Sequence, residues 1–322
     1  MTDRLFNRWL KAIGVALLSV TFQAAAAQEN RIDKICGTCV VERFAKCEGK
    51  HFLEGPAFDR QGNLWVTGLQ TGAVLRVTPE GQCAAIAKPG SAINGSKFDA
   101  QGRLILTDAE RGLLRYDITA GTTKVLRGKN GREMFRGLND SVIDKTGGIY
   151  FTESWGSNVL KRDGRVFYLP ADDIESGSRD VVLVADGIAF PNGIALSPDE
   201  KDLFVGEYAQ NQILKLPLSA PGVVGAHSVP HVFARLTGGT GPDGMAIDTA
   251  GNLYAAHFRA GEVVVIDRNG FPYGTIKLPA GAGLGTTNIA FHNGYLYITE
   301  AFEDVIWRVR TTVAPLPTPN LR

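Results

Sequence analysis

Six stretches of this 322-residue chain repeat one arrangement of apolar and polar positions. In register they are Glu54-Gly-Pro-Ala-Phe-Asp59, Asn94-Gly-Ser-Lys-Phe-Asp99, Asn139-Asp-Ser-Val-Ile-Asp144, Asn192-Gly-Ile-Ala-Leu-Ser197, Asp243-Gly-Met-Ala-Ile-Asp248 and Thr287-Asn-Ile-Ala-Phe-His292, starting 40, 45, 53, 51 and 44 residues apart. Four copies place Asp three residues before Gly, at Asp59/Gly62, Asp99/Gly102, Asp144/Gly147 and Asp248/Gly251, which suits the first and fourth positions of a type I turn. Each turn leads into a second apolar run, Leu64 to Thr67, Leu104 to Thr107, Ile149 to Thr152, Leu203 to Val205, Leu253 to Ala256 and Leu296 to Thr299. Third strands follow, clearest at Ala73 to Thr78, Gly112 to Asp117, Gln212 to Leu216, Glu262 to Asp267 and Val305 to Arg310. Antiparallel strands repeating every 40 to 50 residues predict an all-β fold, a six-bladed β-propeller. An open ring would expose unpaired strand edges. The run Val40 to Lys46 is therefore expected to complete the sixth blade and close the ring.

Composition agrees. Thirty-eight glycines and 21% charged residues favour turn-rich β structure, because glycine is costly within helices and inexpensive where φ is positive. With 34 Lys and Arg against 33 Asp and Glu, no strongly basic face for nucleic acid is expected. At the N-terminus, Arg4, Arg8 and Lys11 precede an apolar stretch from Ala12 to Phe22 and the small residues Ala24 to Ala27. That layout is a secretory signal peptide over residues 1–27, too short in its apolar part for the ~20 residues of a spanning helix. Residues 28–50 then form a Cys-containing segment with the closing strand, 51–311 the propeller and 312–322 a tail. The mature chain is expected in the periplasm or secreted, without a stable membrane anchor.

Cys36, Cys39, Cys47 and Cys83 suit an oxidising compartment and are disulfide candidates tying the N-terminal segment to the body. Three pairings are open. Cys36-Gly-Thr-Cys39 lacks the βαβ surroundings of a redox motif, and no His follows it for haem attachment.

In a propeller the first strand of each blade lines the central channel, so the residues opening these strands form a ring at one mouth. Here the ring is Glu54, Asn94, Asn139, Asn192, Asp243 and Thr287, with glycine following four of them. Two carboxylates and several amide oxygens, without His or Cys, describe a site for one divalent hard cation. Calcium is the first expectation, with magnesium or manganese next and zinc less suited to an all-oxygen site.

At these residues the sequence resembles the gluconolactonase, regucalcin (senescence marker protein 30) and diisopropylfluorophosphatase group, the LRE-like family of six-bladed propellers. The carriers are Leu53-Glu54-Gly55-Pro56-Ala57-Phe58-Asp59, Leu138-Asn139-Asp140, Phe190-Pro191-Asn192-Gly193-Ile194-Ala195 and Gly241-Pro242-Asp243-Gly244-Met245, within residues 41 to 311. The resemblance implies a calcium or zinc held by Glu54, Asn192 and Asp243, with Asn139 as a fourth ligand or substrate contact, and Asp243 as catalytic base or nucleophile. It implies hydrolysis of sugar lactones or organophosphate esters. Where regucalcin carries a substrate-binding Arg, this chain has Gly137, with Arg136 one place further off.

Loops after the second strands should overhang this mouth and bring substrate-binding candidates Arg111, Trp155, Tyr208 and His257, together with Phe258 and Phe302; Asn94 joins them from the ring. His292 sits in a turn slot, and the polar stretch from Gly128 to Leu138 has the length of a lid. The expected activity is metal-dependent hydrolysis of a small lactone or related ester. The alternative, from another class, is a non-catalytic calcium-binding propeller that binds a ligand or protein partner; organophosphate triesterase activity is a further alternative.

Overall fold

The computed structural model describes residues 31–226 and 230–321. The expected signal peptide, residues 1–27, lies outside them. No helix among the described residues is long and apolar enough to cross a membrane.

Among the described residues, six antiparallel sheets of four or five strands follow one another, with one two-stranded hairpin between the second and third. After the short helix α1 (Asp33–Cys36) and strand β1 (Val41–Lys46), blade one comprises β2 (Leu53–Phe58), β3 (Leu64–Gly68), β4 (Ala73–Val77) and β5 (Cys83–Ala87). Blade two comprises β6 (Ile93–Phe98), β7 (Leu104–Asp108), β8 (Gly112–Asp117) and β9 (Thr122–Arg127). A small hairpin, β10 (Lys129–Asn130) and β11 (Glu133–Met134), leads into blade three, β12 (Leu138–Ile143), β13 (Ile149–Glu153), β14 (Gly164–Leu169) and β15 (Val182–Ile188). Blade four is β16 (Pro191–Leu196), β17 (Asp202–Glu207), β18 (Gln212–Ala220) and, beyond the short β19 (Val223–Val224), β20 (His231–Arg235). Blade five is β21 (Gly241–Ile247), β22 (Leu253–Phe258), β23 (Glu262–Ile266) and β24 (Pro272–Lys277). Blade six has β25 (Thr286–His292), β26 (Tyr295–Glu300) and β27 (Val305–Arg310) from the end of the chain, and β1 as its outer strand, paired from Val41 opposite Val309 to Lys46 opposite Val305. The ring is closed by an N-terminal strand, as the pattern of the sequence predicts.

The Asp-x-x-Gly turns form as expected. In blade one, Gly62 N donates to Asp59 O at 3.2 Å while Asp59 Oδ1 accepts from the amides of Gln61 and Asn63. The glycines at these turns have φ near +80° to +90°, a region other residues enter at a cost. Blade four has no glycine there, and Glu200 takes the left-handed conformation instead.

Among the described residues, six buried apolar clusters hold the blades together, one at each junction between neighbours. Ala57, Trp65 and Val74 of blade one meet Phe98, Leu104 and Leu114 of blade two, and Tyr297 and Ile306 of blade six meet Leu53, Leu64 and Val66 of blade one. Each fully buried aliphatic or aromatic side chain contributes roughly 1.5–3 kcal/mol before entropy is set against it. The disulfides are Cys36–Cys39 and Cys47–Cys83. The second joins the residue following β1 to the outer strand of blade one, so it reinforces the closure; the first ties a local turn.

Hairpin β10–β11 occupies the stretch expected as a lid. It is pinned to blade three: Phe135 is buried beside Phe151 and Phe167, and Glu133 is ion-paired with Arg165.

Candidate functional site

Every inner strand enters the channel through an irregularity in its pairing. Register shifts fall between Glu54 and Ala57, Ile93 and Ser96, Leu138 and Ser141, Pro191 and Ile194, Pro242 and Met245, and Thr286 and Asn288. Bulges bend a strand and re-aim its side chains, and these six coincide with the ring predicted from the sequence. Glu54, Asn94, Asn139, Asn192 and Asp243 are all buried at this mouth.

The ring is tight because of the residue after each ring position. A Cβ on Gly193 would sit 2.1 Å from Asp243 O, and one on Gly244 would collide with the Asn288 amide. In blades three and six the same place holds Asp140 and Asn288, whose side chains fill the space that the neighbouring glycines leave open. Second-strand threonines fasten the ring from behind. Thr67 and Thr107 donate to the carbonyls of Asn94 and Asn139 on the next blade, and Thr152 donates to Asn192 O at 2.8 Å.

Electrostatically the mouth is poor in compensation. Glu54 Oε2 and the Oδ1 atoms of Asn94, Asn139 and Asn192 are buried without a hydrogen-bond partner, each an arrangement that costs about 1–3 kcal/mol. Burial, then the charges of Asp243 and Asp140, pushes Glu54 well above the usual carboxylate range, against an opposing pull from the Gly55 amide and the Asn288 side chain. Burial and the charge of Asp140 likewise raise Asp243, partly offset by the Asn192 amide. Asp140 itself lies 3.5 Å from Lys97 Nζ.

The remaining expected contacts divide. Tyr208 faces the mouth: burial and then the negative charge of Asp243 raise its pKa to about 12. It belongs to an aromatic series in which Phe190 lies 5.4 Å from Tyr208, Tyr208 6.1 Å from Phe258, Phe258 5.4 Å from Phe302 and Phe302 6.4 Å from Phe52. Phe52 and Phe190 each stand two residues before a ring residue and have φ of 57° and 59°, a costly conformation for an aromatic residue. Trp155 is 43% exposed, and its ring covers Gly137 so closely that no Cβ fits there. Arg111 donates through Nη1 to Pro89 O at 2.5 Å.

His257 is fully buried, with Nε2 3.1 Å from Asn211 Oδ1 and Nδ1 3.4 Å from Glu262 Oε1. It pairs with Pro242 in the register in which Asp108, Glu153, Glu207 and Glu300 stand on other blades. Those four carboxylates hold loop amides; Asp108, for example, accepts from Ser91, Glu110 and Arg111. The sixth ring position also differs from expectation. Thr287 Oγ1 donates to Leu53 O at 2.6 Å and lies 2.9 Å from Thr299 Oγ1, a tie between blades six and one, while Asn288 beside it supplies the inward amide. Arg136, one place beyond Gly137, is directed to Asp163 Oδ2 at 2.6 Å and to Glu153.

Among the described residues, no three His, Cys, Asp or Glu side chains form a metal-binding cluster. The donor set is mixed: two buried carboxylates and amide oxygens left without protein partners. Such hard oxygens fit a divalent cation of the calcium or magnesium kind, and a cation there would satisfy both the orphaned oxygens and the raised carboxylates.

The family described as SMP-30/Gluconolactonase/LRE-like region matches residues 54–302. The lactonase drp35 of Staphylococcus saprophyticus is 32% identical over 255 residues, covering 75% of each chain. A lactonase drp35 from Staphylococcus aureus is 33% identical over 243 residues, covering 70% of each. Among solved structures, a gluconolactonase from Xanthomonas campestris superposes with a TM-score of 0.72 at 25% identity, covering 87% of this chain and 92% of that one. Regucalcin from Agrobacterium tumefaciens, a calcium-binding protein, gives 0.67 at 19% identity over 87% and 98%, a likeness of fold.

Proposed function

The chain belongs to the SMP-30/gluconolactonase/LRE-like family, and from that premise we propose that it is an exported, metal-dependent hydrolase of lactones. The observation that carries the reading is the convergence of Glu54 and Asp243, buried with raised pKa values, on unpartnered amide oxygens at one channel mouth. Glu54, Asn139, Asn192 and Asp243 would hold the cation, calcium before the alternatives. When bound, such an ion supplies Lewis-acid polarisation of a carbonyl oxygen and acidifies water.

The chain's own residues supply the rest. Asp243 accepts the proton of the attacking water, its pKa brought down when its charge is compensated. Asn94, whose Oδ1 is unpaired, orients the substrate. Tyr208 and Trp155 flank it. His257, held by Asn211 and Glu262, acts by positioning the start of β21 and therefore Asp243.

The walls support a narrower substrate class. Arg136 is engaged with Asp163 and Glu153, so no free guanidinium from that position grips a polyol, whereas Phe190, Tyr208, Phe258, Phe302 and Phe52 form a continuous apolar arc. An aryl or alkyl lactone fits this lining better than a polyhydroxylated one. The leader pattern and two disulfides support export.

The test is a panel of aryl lactones, acyl-homoserine lactones, aldonolactones and aryl phosphotriesters. A higher kcat/KM for aryl or acyl lactones than for aldonolactones is expected. Hydrolysis of phosphotriesters alone, or of nothing in the panel, would overturn the reading.

A further inference from the structure

Lys97 lies on β6, three residues beyond Asn94. Its ammonium approaches Asp140 Oδ1 at 3.5 Å, and the Asp140 side chain is 1% exposed. Its stem lines a cavity of about 160 Å³ at the opposite mouth, among Phe98, Ile143, Ile194, Met245 and Ile289. The C-terminal segment covers that mouth. Thr249 N donates to Ala314 O at 2.9 Å, Asn320 Nδ2 to Phe58 O at 2.8 Å and Arg60 Nε to Asn320 O at 3.0 Å. Lys97 thus has apolar neighbours along the cavity and a buried carboxylate beside its ammonium, with 19% of its side chain exposed.

The charge balance of the channel depends on it. Glu54, Asp140 and Asp243 are three buried carboxylates acting on one another. Among the described residues, the ion pair made by this trio is Lys97 with Asp140. With all three ionised around a cation, three negative charges and one positive would leave two, the complement of a divalent ion; without Lys97 the complement would be trivalent.

We propose that Lys97, held beside Asp140, is an internal counter-charge whose own field sets the affinity and charge selectivity of the cation position at the mouth, without touching the ion. This rests on reading that mouth as a cation site. At short range in a partly desolvated site, a like charge weakens cation binding substantially.

The experiment uses chelator-stripped mature protein as wild type, Lys97→Met and Lys97→Arg, titrated with calcium and with terbium(III) by calorimetry. Met keeps the length of the stem. Lys97→Met should bind calcium about tenfold or more tighter, gain more for terbium than for calcium, and show a larger calcium-induced rise in melting temperature. Lys97→Arg should stay near wild type. Should Lys97→Met not fold, Lys97→Met/Asp140→Asn is compared with Asp140→Asn alone, and the double variant should bind more tightly. Wild-type calcium binding with unchanged or weaker binding in the Lys97→Met proteins overturns this inference and leaves the cation site standing. No calcium binding by wild type overturns both.

Discussion

Asn288 on the sixth blade and Asp140 on the third meet across the channel, the amide nitrogen donating to Asp140 Oδ2 at 3.4 Å. The same side chain opposes the upward shift of Glu54. A residue that answers two buried carboxylates braces the ring across its diameter. Asn288→Leu should cost about 1–3 kcal/mol in urea unfolding, because it leaves buried acceptors unsatisfied. A loss below about 0.5 kcal/mol would contradict this role.

Asp243 is where stability and function should part. Replacing it by Asn removes the proposed proton acceptor, so kcat should fall by about 10²-fold or more. The same change removes a charge that desolvation and Asp140 disfavour, and the stripped protein should melt no lower than wild type. Retained turnover, or a large drop in melting temperature without metal, would contradict the assignment.

The raised carboxylates give a pH dependence with a definite sign. A group whose folded pKa is raised stabilises the fold fully below its unfolded pKa, 4.5 for Glu54 and 3.8 for Asp243, and that contribution is lost as pH rises through the folded value. A cation bound there would replace the lost protons. Calcium should therefore raise the melting temperature more at about pH 8 than at about pH 5. Differential scanning fluorimetry at both pH values checks this, and equal shifts would count against a cation at these carboxylates.

The two disulfides should contribute unequally. Cys47 and Cys83 are 36 residues apart and Cys36 and Cys39 only three, so loop-closure entropy assigns about 3–4 kcal/mol to the longer link. Cys47→Ser/Cys83→Ser should lose that much in denaturant unfolding, and Cys36→Ser/Cys39→Ser clearly less. The reverse order would mean that the closure of blade six does not depend on the link to blade one.

The six-fold repeat, its turns and the closing strand were readable because each blade must repeat the same alternation to bury its faces. Five of the six ring positions were readable for the same reason. Thr287 was not, since a threonine one place before an inward Asn looks identical in register to a ring residue until Leu53 O is seen to accept its hydroxyl. Asp140 and Asn288 carried a usable signal, as the non-glycine members of the column Gly55, Gly95, Gly193 and Gly244. His257 had one too, standing in the column of Asp108, Glu153, Glu207 and Glu300. Cysteine pairing and the path of residues 312–321 across the far mouth depend on distances that no repeat encodes.

Calcium titration of chelator-stripped protein, with lactone hydrolysis as the readout, bears most directly on the site as a whole. Activity should be absent without the ion and rise to a plateau at one equivalent per chain when protein exceeds the dissociation constant. Full hydrolysis persisting in excess chelator would contradict the metal-dependent mechanism proposed for Glu54, Asn139, Asn192 and Asp243.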